Sequence, residues 1–197
     1  MAPSFVPEDK RDDLRKSLLW QGFNTLVNGL YAHPSGDRAS LDETLSEQEL
    51  QGCVVVMAAQ TEDQHSQEAI KQLVKNRWSL DELESFYSDF FAYYQKASQR
   101  LLPTPASAAA ITPADCCLMR LLLVHEYRRI LLRDPDFPSA MLPPNWVGHK
   151  ALALMTQLYQ ALASPASEFI QSELENELGT LPPAQAEYYQ RFEGLQP

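Results

Sequence analysis

Apolar positions recur along this chain in two spacings, and the switch between them divides it. Leu14, Leu18 and Leu19 stand on one side of the charged stretch 8–20, which Gly22 closes, and this predicts a helix. Residues 23–33 gather Leu26, Val27, Leu30 and Tyr31 around Asn28-Gly29, which predicts strand-like chain with a tight turn or a bulge at that pair. Beyond the turn at 34–38, Leu41, Leu45 and Leu50 predict a short helix. The run Cys53-Val-Val-Val-Met-Ala-Ala59 is the clearest strand signal in the sequence, because its core is β-branched. Asp63 or Ser66 can start another helix through Ala69, Ile70, Leu73 and Val74, ending near Arg77. Alternating short helices and strands describe a small α+β unit.

From residue 79 onward the pattern is helical throughout. Ser79 and Glu82 have capping-box spacing. Behind them Leu83, Phe86, Tyr87, Phe90, Tyr94, Ala97 and Leu101 recur at three and four residues, predicting an aromatic helix over 80–102 whose stripe reads as core, with Phe91 and Tyr93 on its flanks. Residues 103–110 connect it to the next helix. There Thr112 suits the N-cap, Pro113 the first helical position and Asp115 the third. Asp134-Pro135 ends that helix, and Pro138, Pro143 and Pro144 predict a short ordered loop. Asn145 is placed to cap a helix from Trp146 to about Leu162, and Ser164-Pro165 to start another through Leu178 to Gly179. The last residues, rich in Pro, Gln, Glu and Tyr, predict a partly ordered tail.

Charge narrows the function classes. Among 197 residues, 16 Lys plus Arg face 26 Asp plus Glu, a net charge of −10. The deficit is spread along the chain, −6 over residues 1–100 (10 basic, 16 acidic) and −4 over 101–197 (6 basic, 10 acidic). Duplex DNA is gripped by clustered cations, so this balance argues against these residues as a phosphate-backbone binder. Cys53, Cys116 and Cys117 have neither metal-ligand nor disulfide-framework spacing and read as reduced thiols. No signal-peptide block and no membrane-length apolar stretch stands out, so a soluble, cytoplasmic protein is expected.

The chemistry worth weighing lies in 111–149. His125, Glu126, Arg128, Arg129 and Arg133 sit in an otherwise oily helix, and Trp146 and His149 follow in the adjoining segment. Paired arginines can fork a phosphate or carboxylate, and an indole can cover a ring, so the set suits an anionic small molecule with an apolar part. A polar network that merely ties down the Pro138–Asn145 loop explains the same residues. A hydrolase using His125 and Glu126 is the rival from another class. Zinc is disfavoured, since adjacent helical residues such as His125 and Glu126 diverge by about 100°. Cys116 lies more than two turns before His125, too far for direct proton transfer along one helix. No glycine-rich phosphate loop, nucleophile elbow or paired-His zinc motif occurs.

The run Leu121-Leu-Leu-Val-His-Glu-Tyr-Arg-Arg-Ile-Leu-Leu-Arg-Asp-Pro135, followed by Leu142-Pro-Pro-Asn-Trp146 and Gly148, resembles the C-terminal module of the PaaX-type repressors of phenylacetic acid catabolism. Trp78-Ser-Leu-Asp-Glu-Leu83 resembles the start of that family's aromatic helix. Leu14-Arg15, Gly22-Phe23 and Gly29-Leu30-Tyr31 look like its central domain, so the resemblance covers about 8–165. It implies an α+β fold: a ferredoxin-like domain over 1–78, its first strand missing or shortened, then an all-helical domain over 79–197 with a partly ordered tail. It further implies a homodimer and a non-enzymatic repressor without cofactor, relieved by the effector phenylacetyl-coenzyme A. Operator DNA would be read by a winged helix-turn-helix that these residues lack. On this reading His125, Arg128, Arg129, Trp146 and His149 bind ligand, and Glu126, Arg133 and Asp134 support them.

Overall fold

A computed structural model of the protein describes residues 6–101, 111–177 and 179–191, and shows a mixed, mostly helical chain with two short antiparallel hairpins. It divides into two compact units, Met1–Leu83 with Leu131–Pro144, and Glu84–Ile130 with Asn145–Pro197.

In the first unit, α1 (Glu8–Trp20) and α2 (Arg38–Glu47) pack leucine on leucine. Leu14, Leu18, Leu41, Leu45 and Leu50 form the core, with Val6, Phe23, Tyr31, Cys53, Val54 and Val56 against it. Leu19, expected inward, is exposed. Asp37 caps α2 by accepting the Ala39 amide at 2.9 Å, and Lys10 ties α1 to its end by donating to the Gln48 carbonyl at 2.8 Å. Between the two helices, β1 (Asn24–Val27) and β2 (Leu30–Ala32) form a hairpin across Asn28-Gly29. Turn and bulge occur together there: Gly29 alone of the pair takes a positive φ, 81°, and the register shifts between Thr25 and Val27. Helix α3 (Gln64–Arg77) starts at Asp63, whose carboxylate accepts from the Ser66 amide and hydroxyl. The proline-rich segment after residue 133 belongs to this unit. Ser35 Oγ donates to the Pro135 carbonyl at 2.8 Å, and Phe137 meets the Trp78 ring edge-on.

The strand expected over 53–59 does not form. The Cys53 amide turns back to the Leu50 carbonyl. Beyond it Val54 and Val56 lean on the core, while Val55 and Met57 are 75% and 71% exposed. The alternation of a strand is present, yet among the described residues no neighbour pairs with it. β-propensity expresses packing on a pleated surface, and without a ladder it yields only extended chain. The first strand expected before residue 8 falls largely on residues 1–5, outside those described.

In the second unit, α4 (Leu80–Leu101), α5 (Pro113–Leu131) and α6 (Val147–Glu173) share an aromatic and aliphatic core. Thr112 and Asp115 make a reciprocal cap: Thr112 Oγ1 accepts the Asp115 amide at 3.1 Å, and the Asp115 carboxylate accepts the Thr112 amide at 3.2 Å. At the head of α4 the expected capping box is replaced. Ser79 takes a φ of 49°, and its carbonyl accepts the Glu82 and Leu83 amides. Helix α6 is continuous through Pro165, where a break was expected. An interior proline costs about 3 kcal/mol, and burial of Leu158, Leu162 and Ala166, the last two against Cys116 and Cys117, offsets it. The helix ends at Glu173, and β3 (Glu175–Asn176) pairs antiparallel with β4 (Gly179–Thr180) where helix was expected to run on to Gly179. A short turn, α7 (Ala186–Tyr189), lies beyond it. The connection at 103–110 and Leu178 lie outside the described residues.

Candidate functional site

The residues singled out on α5 divide by burial. His125, Arg128 and Arg129 are exposed and share one side of the helix, since three and four positions bring side chains to neighbouring turns. Glu126 is half-buried, and its carboxylate accepts from Arg129 Nη1 at 3.2 Å, an ion pair open to water. Glu126 is also felt in the core: the Tyr94 phenol is pushed up to about 12, first by burial and then by the charges of Glu126 and Tyr93. Arg128 forms no ion pair among the described residues.

Trp146 is placed differently. It is 4% exposed at the head of α6, its ring edge-on to Tyr87 at 5.8 Å, and Tyr87 in turn faces Tyr127. Gly148 permits this, because a Cβ there would collide with the indole Nε1 and stand 3.0 Å from Cδ1. Trp146 also precedes the helix as its cap residue, a place expected for Asn145, and makes no side-chain cap bond. His149 is exposed on the first turn. Arg133 and Asp134 belong to the first unit, where Asp134 accepts the Asp136 amide at 2.9 Å.

The apolar face of α5 is not wholly covered. Cys116, Cys117, Leu123, Tyr127 and Ile130 are buried, while Leu118, Leu121 and Leu122 are exposed on the side that carries His125 and Arg129. Cations and open leucines therefore share a surface. Two hollows of about 460 and 380 Å³ lie elsewhere, one along the start of α3 and one beside Gln51–Val56. No group of three His, Cys, Asp or Glu among the described residues could hold a metal ion, and no helix among them is long and apolar enough to cross a membrane. Sequence reasoning passed over Arg120, which the structure sets against two tyrosine rings. Its partner Tyr188 lies in a tail whose contacts no local pattern announces.

Two family descriptions match this chain in tandem. Residues 6–71 match the PaaX protein central Cas2-like domain, and residues 78–172 match the PaaX-like protein C-terminal domain. The chain belongs to the PaaX family. A curated relative, the transcriptional repressor PaaX of Escherichia coli K12, is 35% identical over 184 residues, 93% of this chain. The chain spans 57% of that protein's length. The PaaX C-terminal match contains Arg120, Trp146, His149 and the α5 residues between them, and the central PaaX match contains the α1–α2 core.

Proposed function

We propose that this chain is the effector-sensing and self-associating part of a transcriptional repressor of phenylacetic acid catabolism, relieved by phenylacetyl-coenzyme A. The tandem PaaX match, with 35% identity to a protein named as a transcriptional repressor, carries the reading. The open side of α5 supports it chemically. Arg128 and Arg129 offer cations for phosphate oxygens, Leu121 and Leu122 offer apolar surface, and His125 and His149 add further polar groups. Trp146 contributes by holding the head of α6 against Tyr87, and Glu126 supports the site through its pairing with Arg129. No cofactor or catalytic group is invoked.

On this proposal residues 1–78 form a ferredoxin-like domain and 79–197 the helical sensor. The extended segment 53–57, with Val55 and Met57 open, supports pairing of this domain in a homodimer. Operator contact resides outside these residues, in keeping with their net charge of −10. Effector binding shifts the population toward a dimer arrangement that no longer fits paired half-sites. Fluorescence anisotropy with operator duplex at physiological salt, together with a free-thiol assay on phenylacetyl-coenzyme A, tests both negatives. No sub-micromolar DNA binding and no thiol release is the expected pair of results. Tight operator binding by this chain would overturn the assignment of DNA contact, and steady thiol release would favour a thioester hydrolase using His125 and Glu126.

A further inference from the structure

Arg120 on α5 has surroundings that the proposed sensor does not use. It stands about 140° and 180° around the helix from His125 and Arg129. Its guanidinium carbon lies 5.6 Å from the ring centre of buried Tyr159 and 5.4 Å from that of Tyr188. Nη1 donates to the Ala163 carbonyl at 3.3 Å and to the Tyr188 hydroxyl, which lies 3.1 Å from Ser167 Oγ. Both acceptors are neutral. Among the described residues no carboxylate pairs with Arg120, although the chain has ten more acidic than basic side chains. Its remaining donors, Nε and Nη2, make no hydrogen bond there either.

The segment that brings Tyr188 is lightly held. Residues 182–187 are exposed, α7 is a single turn, and Leu181 reaches the Leu174 carbonyl with a long amide bond of 3.4 Å. Tyr188 bonds the segment to α5 and α6 through its hydroxyl, to Arg120 and Ser167. A carboxylate or phosphate adds charge attraction to the guanidinium bond that a neutral acceptor lacks, and the planar fork accommodates two anionic oxygens at once.

We propose that residues 181–189 are a displaceable strap whose Tyr188 occupies, on Arg120, a site for an anion bearing an aromatic ring. The anionic group would take the guanidinium and Ser167 Oγ, and the ring would replace the Tyr188 phenol beside Arg120 and Tyr159. The site lies within the second unit alone and stands whether or not the coenzyme A reading holds.

Phenyl phosphate is the probe, with inorganic phosphate as the control for the ring, and titration calorimetry gives the affinity. Tyr188→Ala is expected to bind phenyl phosphate at least ten times more tightly than the unsubstituted chain, and inorganic phosphate less well than phenyl phosphate. Adding Arg120→Gln to Tyr188→Ala should abolish the gain. Hydrogen exchange of the 181–190 amides should quicken in Tyr188→Ala, and in the unsubstituted chain at saturating phenyl phosphate. Tyr188→Phe keeps the ring and loses the hydroxyl, so it gives a smaller gain in a minimally altered fold, checked by circular dichroism. Equal affinity in folded Tyr188→Phe, Tyr188→Ala and unsubstituted chains would overturn the proposal, as would binding that survives Arg120→Gln.

Discussion

Trp146 and Arg129 lie in the same sequence motif but in opposite environments, so truncating each should move a different observable. The Trp146 indole is 4% exposed and packs edge-on to Tyr87 at 5.8 Å. Removing a buried aromatic side chain costs about 3–5 kcal/mol in lost transfer energy and residual cavity. Of this the ring-edge contact accounts for about 0.5–1.5 kcal/mol, measurable by a double-mutant cycle with Tyr87→Leu. Arg129 is 59% exposed, paired with Glu126 within the same helix. Such a pair contributes about 0.5 kcal/mol or less, so Arg129→Ala should leave unfolding nearly unchanged. If its fork holds a phosphate of the effector, the same substitution costs about 2–5 kcal/mol of binding. Urea unfolding followed by far-ultraviolet circular dichroism reads the first pair of numbers, and calorimetry reads the last. A Trp146→Ala chain within 1 kcal/mol of the parent would refute the core placement. An Arg129→Ala chain destabilised as much as Trp146→Ala would refute the solvent-facing one.

Three further outcomes follow from local geometry. His33 is held below its ordinary value by burial, opposed by its bond to the Gln21 backbone and by the charge of Asp136, while its Nδ1 accepts the Ser35 amide. Because folding favours the neutral ring, this stabilisation is complete above pH 6.5, the ordinary value, and is lost as pH falls below it through the lower folded-state value; His33→Asn should flatten that part of the stability profile in acid titration. Thr112→Ala removes the acceptor for the Asp115 amide and should destabilise the chain by about 1 kcal/mol, read by urea unfolding; a chain as stable as the parent would show the cap idle. Gly148→Ala gains about 1 kcal/mol of helix propensity but drives a Cβ into a rigid buried indole, at about 1–3 kcal/mol of overpacking, so a net loss in thermal melting is expected and a net gain would contradict the packing.

What the sequence made legible was mostly local. The starts of α1, α3 and α5, the Thr112–Asp115 cap and the aromatic stripe of α4 depend on neighbours within a turn or two, and spacing reports those neighbours directly. Misreadings arose where distant partners decide. Val54–Met57 has a strand's composition but no paired neighbour among the described residues, and Pro165 sits in a helix because packing against α5 outweighs the missing amide bond. Ser79 shows a subtler failure: the spacing to Glu82 fits a box, but its positive φ departs from the extended backbone a capping residue takes, and the Glu82 amide goes to its carbonyl instead of its hydroxyl. At the candidate site, periodicity grouped His125 with Arg129 on one face. It could not tell that Trp146 folds inward over Gly148, nor that Tyr188, 68 residues beyond Arg120, meets its guanidinium.

Titration calorimetry of this chain with phenylacetyl-coenzyme A, free coenzyme A and phenylacetate in parallel tests the central claim most directly. The account predicts saturable binding of the thioester, weaker binding of free coenzyme A, weakest of phenylacetate, and thioester affinity reduced by Arg129→Ala without loss of fold. Equal affinity for the thioester and free coenzyme A, or no binding of any of the three, would contradict it.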